Sequence, residues 1–375
     1  MSITAGQFSE TALLQSRYYA DQLLLDGRIK QQFIPKISAL NYLQSLQTAR
    51  LNEAFNSASK KDFDVEIMWE NVCSDLTIAD TSCEIGGNEA STNAETYSLT
   101  KRITKGFTVD DDKFRDNEYE SQMLIAKLML QAEKQIAEEF AQYCIGRLNV
   151  FAGVNQVTDG KGQLFPSDNT ITDIDPSNWT AEVMAYFARV MQLNRFSNAA
   201  MISGSNLFET IYVARANNAN AEGKGDFILW NDMPIWFDLF NVDSVNSGAL
   251  YTYMVEQGSV AMVNKAFNPD SVTRTFHDER FTMPSRFIPG FTYDVYYNNE
   301  CKTNGTYKDV LKHNWKIVLT ADMFKNPFGC DAIETEGVQT GGDNSGILRF
   351  RNQEPTPTPT PTATATPTAT ATPTA

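Results

Sequence analysis

The chain has 375 residues, 42% of them apolar and 21% charged, enough to bury a sizeable core in one large domain or two modest ones. Its 31 basic residues stand against 46 acidic ones, a net charge of -15, which argues against a protein that binds nucleic acid by neutralising phosphates. The N-terminus is polar and lacks a basic start before an apolar run, and no stretch of about 18 apolar residues occurs, so neither export nor a membrane span is expected and synthesis should end in the cytoplasm.

The first segment reads as helix. From Glu10 to Leu25, Leu13, Leu14, Tyr18 and Leu24 recur at helical steps, and Gly27 follows near the expected end. A second helical stretch spans about Ile37 to Phe55, after Pro35. Together, residues 1–61 read as an arm that needs a surface to lie on.

The period then changes. Phe63, Val65, Ile67 and Trp69 alternate with polar residues, and so do Leu99, Ile103, Phe107 and Val109, with Lys101 and Lys105 on the same parity. A connection of about 25 residues, rich in Ser, Thr and Asn and containing Gly86-Gly87, is unusual inside a compact domain. Residues 62–110 therefore read as a long projecting β-hairpin. The bases Lys101, Arg102 and Lys105 are expected to approach acids of a neighbouring copy.

The longest helix follows. Asp110, Asp111, Asp112 and Asp116 precede it, and Glu118 and Glu120 sit in its first turn, where the helix dipole favours negative charge. Ile125, Met129, Ala132, Ile136 and Phe140 make an apolar stripe. A run from Glu118 to Leu148 would be about 45 Å long and act as a spine.

After Gly153, Gly160 and Gly162 the chain turns mixed α/β. Helices are expected at Trp179 to Leu193, with Ser177 as cap, and at Leu207 to Ala216. Short strands are expected at Ala199 to Ile202, Phe227 to Trp230, Ile235 to Phe240, Tyr251 to Val255 and Val260 to Val263. Beyond Val272 strands dominate: Arg274 to Thr282, Tyr293 to Tyr297 and Trp315 to Thr320. Residues 355–375 contain only Pro, Thr and Ala and cannot build a core, so they should be extended and disordered.

No catalytic constellation emerges. The only histidines are His277 and His313, and His277 lies in a strand-like run without nameable partners. No phosphate-cradling glycine loop or nucleophile elbow is present, and Ser203-Gly204-Ser205 is explained by a helix start. The run Asp110-Asp111-Asp112 lacks the spaced ligands of a calcium loop. Cys73, Cys83, Cys144, Cys301 and Cys330 are odd in number and widely spaced, which suits reduced thiols. No catalytic residue, cofactor or metal is assigned.

The order of parts carries more than any motif: helical arm, two-stranded loop, spine helix, α/β domain, closing strands. In this order, and in the stretches Met201-Ile202-Ser203-Gly204-Ser205-Asn206, Phe237-Asp238-Leu239 and Tyr253-Met254-Val255-Glu256-Gln257-Gly258-Ser259-Val260-Ala261, the chain resembles the Hong Kong 97-type major capsid proteins of tailed phages over nearly all of residues 1–350. The resemblance implies an α+β Hong Kong 97-like fold. Its parts would be an N-arm at 1–61, an extended loop at 62–110, a peripheral domain with the spine at 111–178, an axial domain at 179–265, return strands at 266–354 and the Pro/Thr/Ala tail at 355–375. It implies no enzyme, but a subunit assembling with itself through hexamers and pentamers into an icosahedral head that encloses DNA without sequence-specific contacts. Scaffolding, portal and decoration proteins would be partners, no membrane would be involved, and assembly in the host cytoplasm would end in the virion. Subunit contacts would fall on the loop and the spine entrance: Trp69, Cys73, Cys83, Gly86, Gly87, Lys101, Arg102, Lys105, Asp110, Asp111 and Asp112. Two other readings compete: an encapsulin-like compartment shell, which needs a cargo enzyme, and a secreted surface-binding protein using the tail as a linker, which is opposed by the missing export signal. A soluble α+β hydrolase fails on the missing acid/base pair.

Overall fold

The computed structural model describes residues 18–26, 32–46, 53–55, 63–71, 91–110, 118–152, 172–180, 182–193, 196, 198–216, 221–224, 227–230, 233–247, 249–266, 273–274, 278–304, 307–325 and 346–352. The fold is α+β, with two large sheets joined by one long helix. The elements in chain order are α1 (Ser38–Leu46), β1 (Asp64–Asn71), β2 (Ser91–Ser98), β3 (Arg102–Asp110), α2 (Glu118–Phe151), β4 (Thr172–Ile174), α3 (Val183–Leu193), β5 (Ala199–Ser203), α4 (Ser205–Ala216), β6 (Ala221–Lys224), β7 (Phe227–Trp230), β8 (Met233–Phe237), α5 (Leu239–Val245), β9 (Leu250–Glu256), β10 (Val260–Asn264), β11 (Thr273–Arg274), β12 (Asp278–Pro284), β13 (Thr292–Asn304), β14 (Tyr307–Lys325) and β15 (Ile347–Asn352).

Helix α2 is the expected spine and continues three residues past Leu148. Its buried residues form more than a stripe: Ile136, Ala137, Phe140, Ala141, Cys144, Ile145 and Leu148 are all buried. The extra width has a cause. Phe140 meets Phe291 on one side with ring centroids 5.6 Å apart, while Val242 of α5 and Tyr253 of the second sheet join the same core. Helix α2 is thus covered by the first sheet, by α5 through Val242 and by the second sheet through Tyr253, and a helix covered from several directions needs apolar residues over most of its circumference.

The first sheet has the order β10-β14-β13-β12-β11, with β3 also paired to β14. Its organiser is β14, 19 residues long, which pairs with β13, with β3 from Lys312↔Asp110 to Thr320↔Arg102, and with β10 at its end. One face, through Ile103, Trp315, Ile317, Leu319, Val295 and Tyr293, packs on the spine core. The second sheet has the order β4-β15-β9-β5-β8-β7-β6 and a core built on Phe187, Met201, Leu207, Ile235, Phe237 and Phe350, with α3 and α4 packed against it.

Several segments differ from the sequence reading. Residues 102–110 alternate as expected of a hairpin strand, but they pair with β14 and belong to the first sheet; the partner of β1 is β2, in the register Asp64↔Ser98 to Asn71↔Ser91. Strand β10 lies in the first sheet, while β4 and the late strand β15 lie in the second, β4 parallel to β15. Phe240 is helical, not strand, because Asp238 caps α5 by accepting from the Asn241 amide. Ser177 caps nothing: Asp175 accepts from its amide and hydroxyl in a 3-10 turn, and α3 begins at Val183.

The arm lies on its own chain. Ala20, Leu23 and Phe33 pack on Ala126 and Leu130 of the spine. Arg286 bridges the arm to the spine, pairing with Asp21 and, at 3.6 Å, with the buried Glu133. Further along, Tyr42 stacks on Trp236 at 5.2 Å, and the Ala39 amide donates to Asp238 Oδ2. Residues 36–42 thus tie the arm to the second sheet, and Asn241 Nδ2 donates back to the Lys36 carbonyl.

At the start of α4, a Cβ on Gly204 would lie 2.0 Å from Asp243 Oδ1, the carboxylate that accepts from the Ser205 amide. The Ser203 hydroxyl is buried and bonded to Asn206 and Thr252 at 2.8 Å each. This loop is therefore a helix entry, as its sequence indicated.

Candidate subunit interface

The β1–β2 hairpin stands apart from both large sheets. Among the described residues its strands pair with each other alone, and strand edges that no neighbour covers are ready templates for another chain. The base is firmly anchored. The Leu99 amide donates to the Phe63 carbonyl at 2.8 Å. Below it, Tyr97 and Leu99 join Phe55, Ala261, Val263 and Phe324 in a small core of their own. Phe55 stacks on Phe324 at 5.8 Å and Tyr97 meets the same ring edge-on at 5.3 Å.

Between hairpin and sheet, residues 99–101 cross from one to the other over Asp322, which is 2% exposed. Its carboxylate accepts from the Tyr143 hydroxyl at 2.5 Å, the Met323 amide at 2.9 Å, and the Thr100 hydroxyl and amide at 3.3 and 3.4 Å. Burial, then the Asp322 hydrogen bond and charge, push the Tyr143 hydroxyl well above its ordinary pKa. Asp322 thus clips the hairpin root to the spine.

The interface residues expected from sequence separate into three groups. Trp69 lies in β1 opposite Asn93. Lys101, Arg102, Lys105 and Asp110 lie at the root of the hairpin or on β3, away from its projecting part. Three of these four are engaged within the chain: Lys101 Nζ sits 5.0 Å above the Tyr143 ring, Lys105 pairs with Glu139 of the spine at 2.7 Å, and Asp110 pairs with Lys312 at 3.6 Å. Only Arg102 is exposed without an acid partner among the described residues. Cys73, Cys83, Gly86, Gly87, Asp111 and Asp112 lie outside the described residues, as do His277 and the 355–375 tail.

Two features were not read from the sequence. The first is the charge of the hairpin: from Asp64 to Ser98 there are eight acidic residues and no basic one. The second is a cationic rung on the solvated face of the first sheet. Lys316, Tyr296 and Arg280 are direct cross-strand neighbours, and the Arg280 guanidinium and Lys316 amine lie 5.5 and 5.6 Å from the same Tyr296 ring. Beside them an open cleft of about 220 Å³ is bordered by Asn298 and Asn314. Strand register alone makes these residues neighbours.

On the opposite face, the Tyr297 hydroxyl lies 2.5 Å from Nδ1 of the buried His313. Among the described residues no three metal-ligating side chains converge, and no helix is long and apolar enough to cross a membrane. Cys144 is buried and free, and burial raises its thiol pKa well above the ordinary value.

No family model matches the chain, and no curated protein matches it. Several solved structures from phages are similar to it. Cyanophage P-SCSP1u, described as a capsid structure, aligns with a TM-score of 0.47 and 7% identity over 79% of this chain and 85% of that one. The cyanophage Pam1 capsid asymmetric unit aligns at 0.45 and 9% over 78% and 86%. A chain of Mycobacterium phage Che8 aligns at 0.42 and 8% over 81% and 89%.

Proposed function

We propose that this chain is the shell-forming subunit of a phage head, a major capsid protein of the Hong Kong 97 type with no enzymatic role. The observation that carries the reading is the β1–β2 hairpin, whose strands pair with no other strand among the described residues yet are rooted firmly in the body by Phe324 and Asp322. Eight-residue strands with two open edges gain little stability in isolation. They gain it by lying on another copy, and a heterologous contact of that kind closes into rings when its rotation allows. Rings of five and six then build a closed shell around DNA that needs no sequence-specific contact.

In this reading the extended loop is the segment from residue 62 to about residue 100, shorter than the sequence suggested. The first sheet with α2 forms the peripheral domain, the second sheet the axial domain, and the 355–375 tail a solvated extension of the shell. Scaffolding, portal and decoration proteins are the expected partners, with assembly in the host cytoplasm.

Electron microscopy and sedimentation of the purified full chain, with and without a candidate scaffold, test the proposal. Rings, tubes or shells are expected. A protein that remains a globular monomer at every concentration and with every scaffold supplied is not a capsid subunit.

A further inference from the structure

We propose that the Arg280–Tyr296–Lys316 rung is the docking site for the acidic β1–β2 hairpin of a second copy of this chain. The inference rests on the shell-subunit reading and assigns a partner to a specific surface.

The argument begins with charge. A segment with eight acids and no base repels its own kind and is attracted to any cationic surface. In a chain of net charge -15 such surfaces are scarce, and two cations held on one ring form one. Arg280 and Lys316 are both exposed and make no ion pair among the described residues, whereas Lys105 and Lys312 are already neutralised by Glu139 and Asp110. The Tyr296 ring restrains both cations, so less side-chain entropy is lost when a carboxylate arrives. Arg102, on the same face two rungs away beside Thr320, extends the positive surface along β3.

The chain's own hairpin is rooted away from the rung. Its base sits at Phe324, eight residues along β14 from Lys316, a distance of about 26 Å on a straight strand. Its strands pair with neither β3 nor β12. On β1, Asp64 and Glu66 are both exposed and fall at alternate positions, which places their carboxylates on one face of the strand pair. A hairpin from one copy on the rung of the next is a head-to-tail contact, the kind that generates rings.

The test uses full-length chains. An isotope-labelled batch and an unlabelled batch are mixed, assembled at low ionic strength and treated with a carbodiimide, which joins a lysine amine to a touching carboxylate. Mixed-label peptide pairs linking Lys316 to Asp64 or Glu66 are expected. Reversing the rung with Arg280→Glu and Lys316→Glu should slow assembly about tenfold at roughly 20 mM salt, and less at higher salt as screening grows. Adding Asp64→Lys and Glu66→Lys to the same chain should restore the rate. The neutral pair Arg280→Gln and Lys316→Gln, with circular dichroism matching wild type, controls for misfolding and should give an intermediate rate.

Wild-type chains that assemble while the reversed chains keep pace with them overturn this inference and leave the shell reading standing. So do Lys316 links confined to its own chain, or a reversal that only weakens retention on heparin, which would mark the rung as a nucleic-acid contact. Wild-type chains that never assemble overturn the shell reading itself.

Discussion

Asp322 is the most exposing test of how the hairpin is rooted. Asp322→Ala removes an acceptor that serves four donors and leaves the Tyr143 hydroxyl and the Met323 amide without one. A bond to a charged acceptor contributes roughly 1.5–3 kcal/mol, so the two short ones contribute about 3–6 kcal/mol gross. Burying the carboxylate offsets part of that, and the expected net loss is about 3 kcal/mol, a shift of about 150-fold in the unfolding equilibrium. Asp322→Asn keeps one acceptor for Tyr143 but turns an N–H toward the Thr100 donors, so about half the loss should remain. Urea denaturation of unassembled chains gives the global figure. Hydrogen exchange at the Leu99 and Thr100 amides gives the local one and should rise more than exchange in β5 or β9. A double-mutant cycle with Tyr143→Phe should show coupling of about 1–2 kcal/mol. A loss below about 1 kcal/mol, or faster exchange spread evenly over both sheets, would refute the idea that Asp322 holds the root.

Phe324→Ala should cost about 3–4 kcal/mol, because Phe55 and Tyr97 both lose the ring they pack on; urea midpoints measure this, and faster exchange should centre on Phe63 to Val65 and Tyr97 to Leu99. Lys105→Glu breaks a half-exposed pair with Glu139, so stability should fall by no more than about 1 kcal/mol, and light scattering should show assembly at the wild-type rate, since this lysine is occupied within its own chain. The Cys144 thiol, buried and shifted upward, should resist alkylation at pH 8 until the chain unfolds, as read by mass spectrometry of its peptide. Tyr253 and Tyr293 have pKa values raised by burial, so the folded state holds protons that the unfolded state releases above pH 10.0. Stability should therefore fall as pH climbs past that point, and Tyr253→Phe or Tyr293→Phe should flatten the fall in urea titrations between about pH 9 and 11.

The spine was legible because its signal is local: Ile125, Met129, Ala132, Ile136 and Phe140 recur with the period of the helix they form. Strand existence was legible for the same reason at Phe63 to Trp69 and Ile103 to Val109, but strand partnership was not. Alternation identifies a pleated, half-buried segment and says nothing about which other segment lies beside it. The true partner of β1, Ser91–Ser98, is mostly polar, so it carries little alternation. The end of β14 was missed where Asp322 interrupts Ala321 and Met323; this acid is buried, and the hydrogen bonds that make its burial tolerable come from Tyr143 and Thr100, far away in sequence. The cationic rung was invisible for a related reason. Arg280 and Lys316 look like ordinary surface residues until β13 places Tyr296 between them.

Strand β14 also has a mechanical consequence. Along its 19 residues, about 60 Å if straight, sit the Lys312 pair with Asp110, the Lys316 rung, the apolar contacts of Ile317 and Leu319 with the spine core, the Asp322 clip and the Phe324 anchor. In the proposed assembly a tug on the hairpin by a neighbour would enter at Phe324, and its component along β14 is the part this strand carries. It loads the ladders to β10, β3 and β13 in shear, so many hydrogen bonds carry it together instead of parting one after another from an end. In the proposed shell, stretched from within, the same strand would serve as a tie-rod: the place where a subunit grips one neighbour and the place where it is gripped by the next would lie on one continuous piece of backbone.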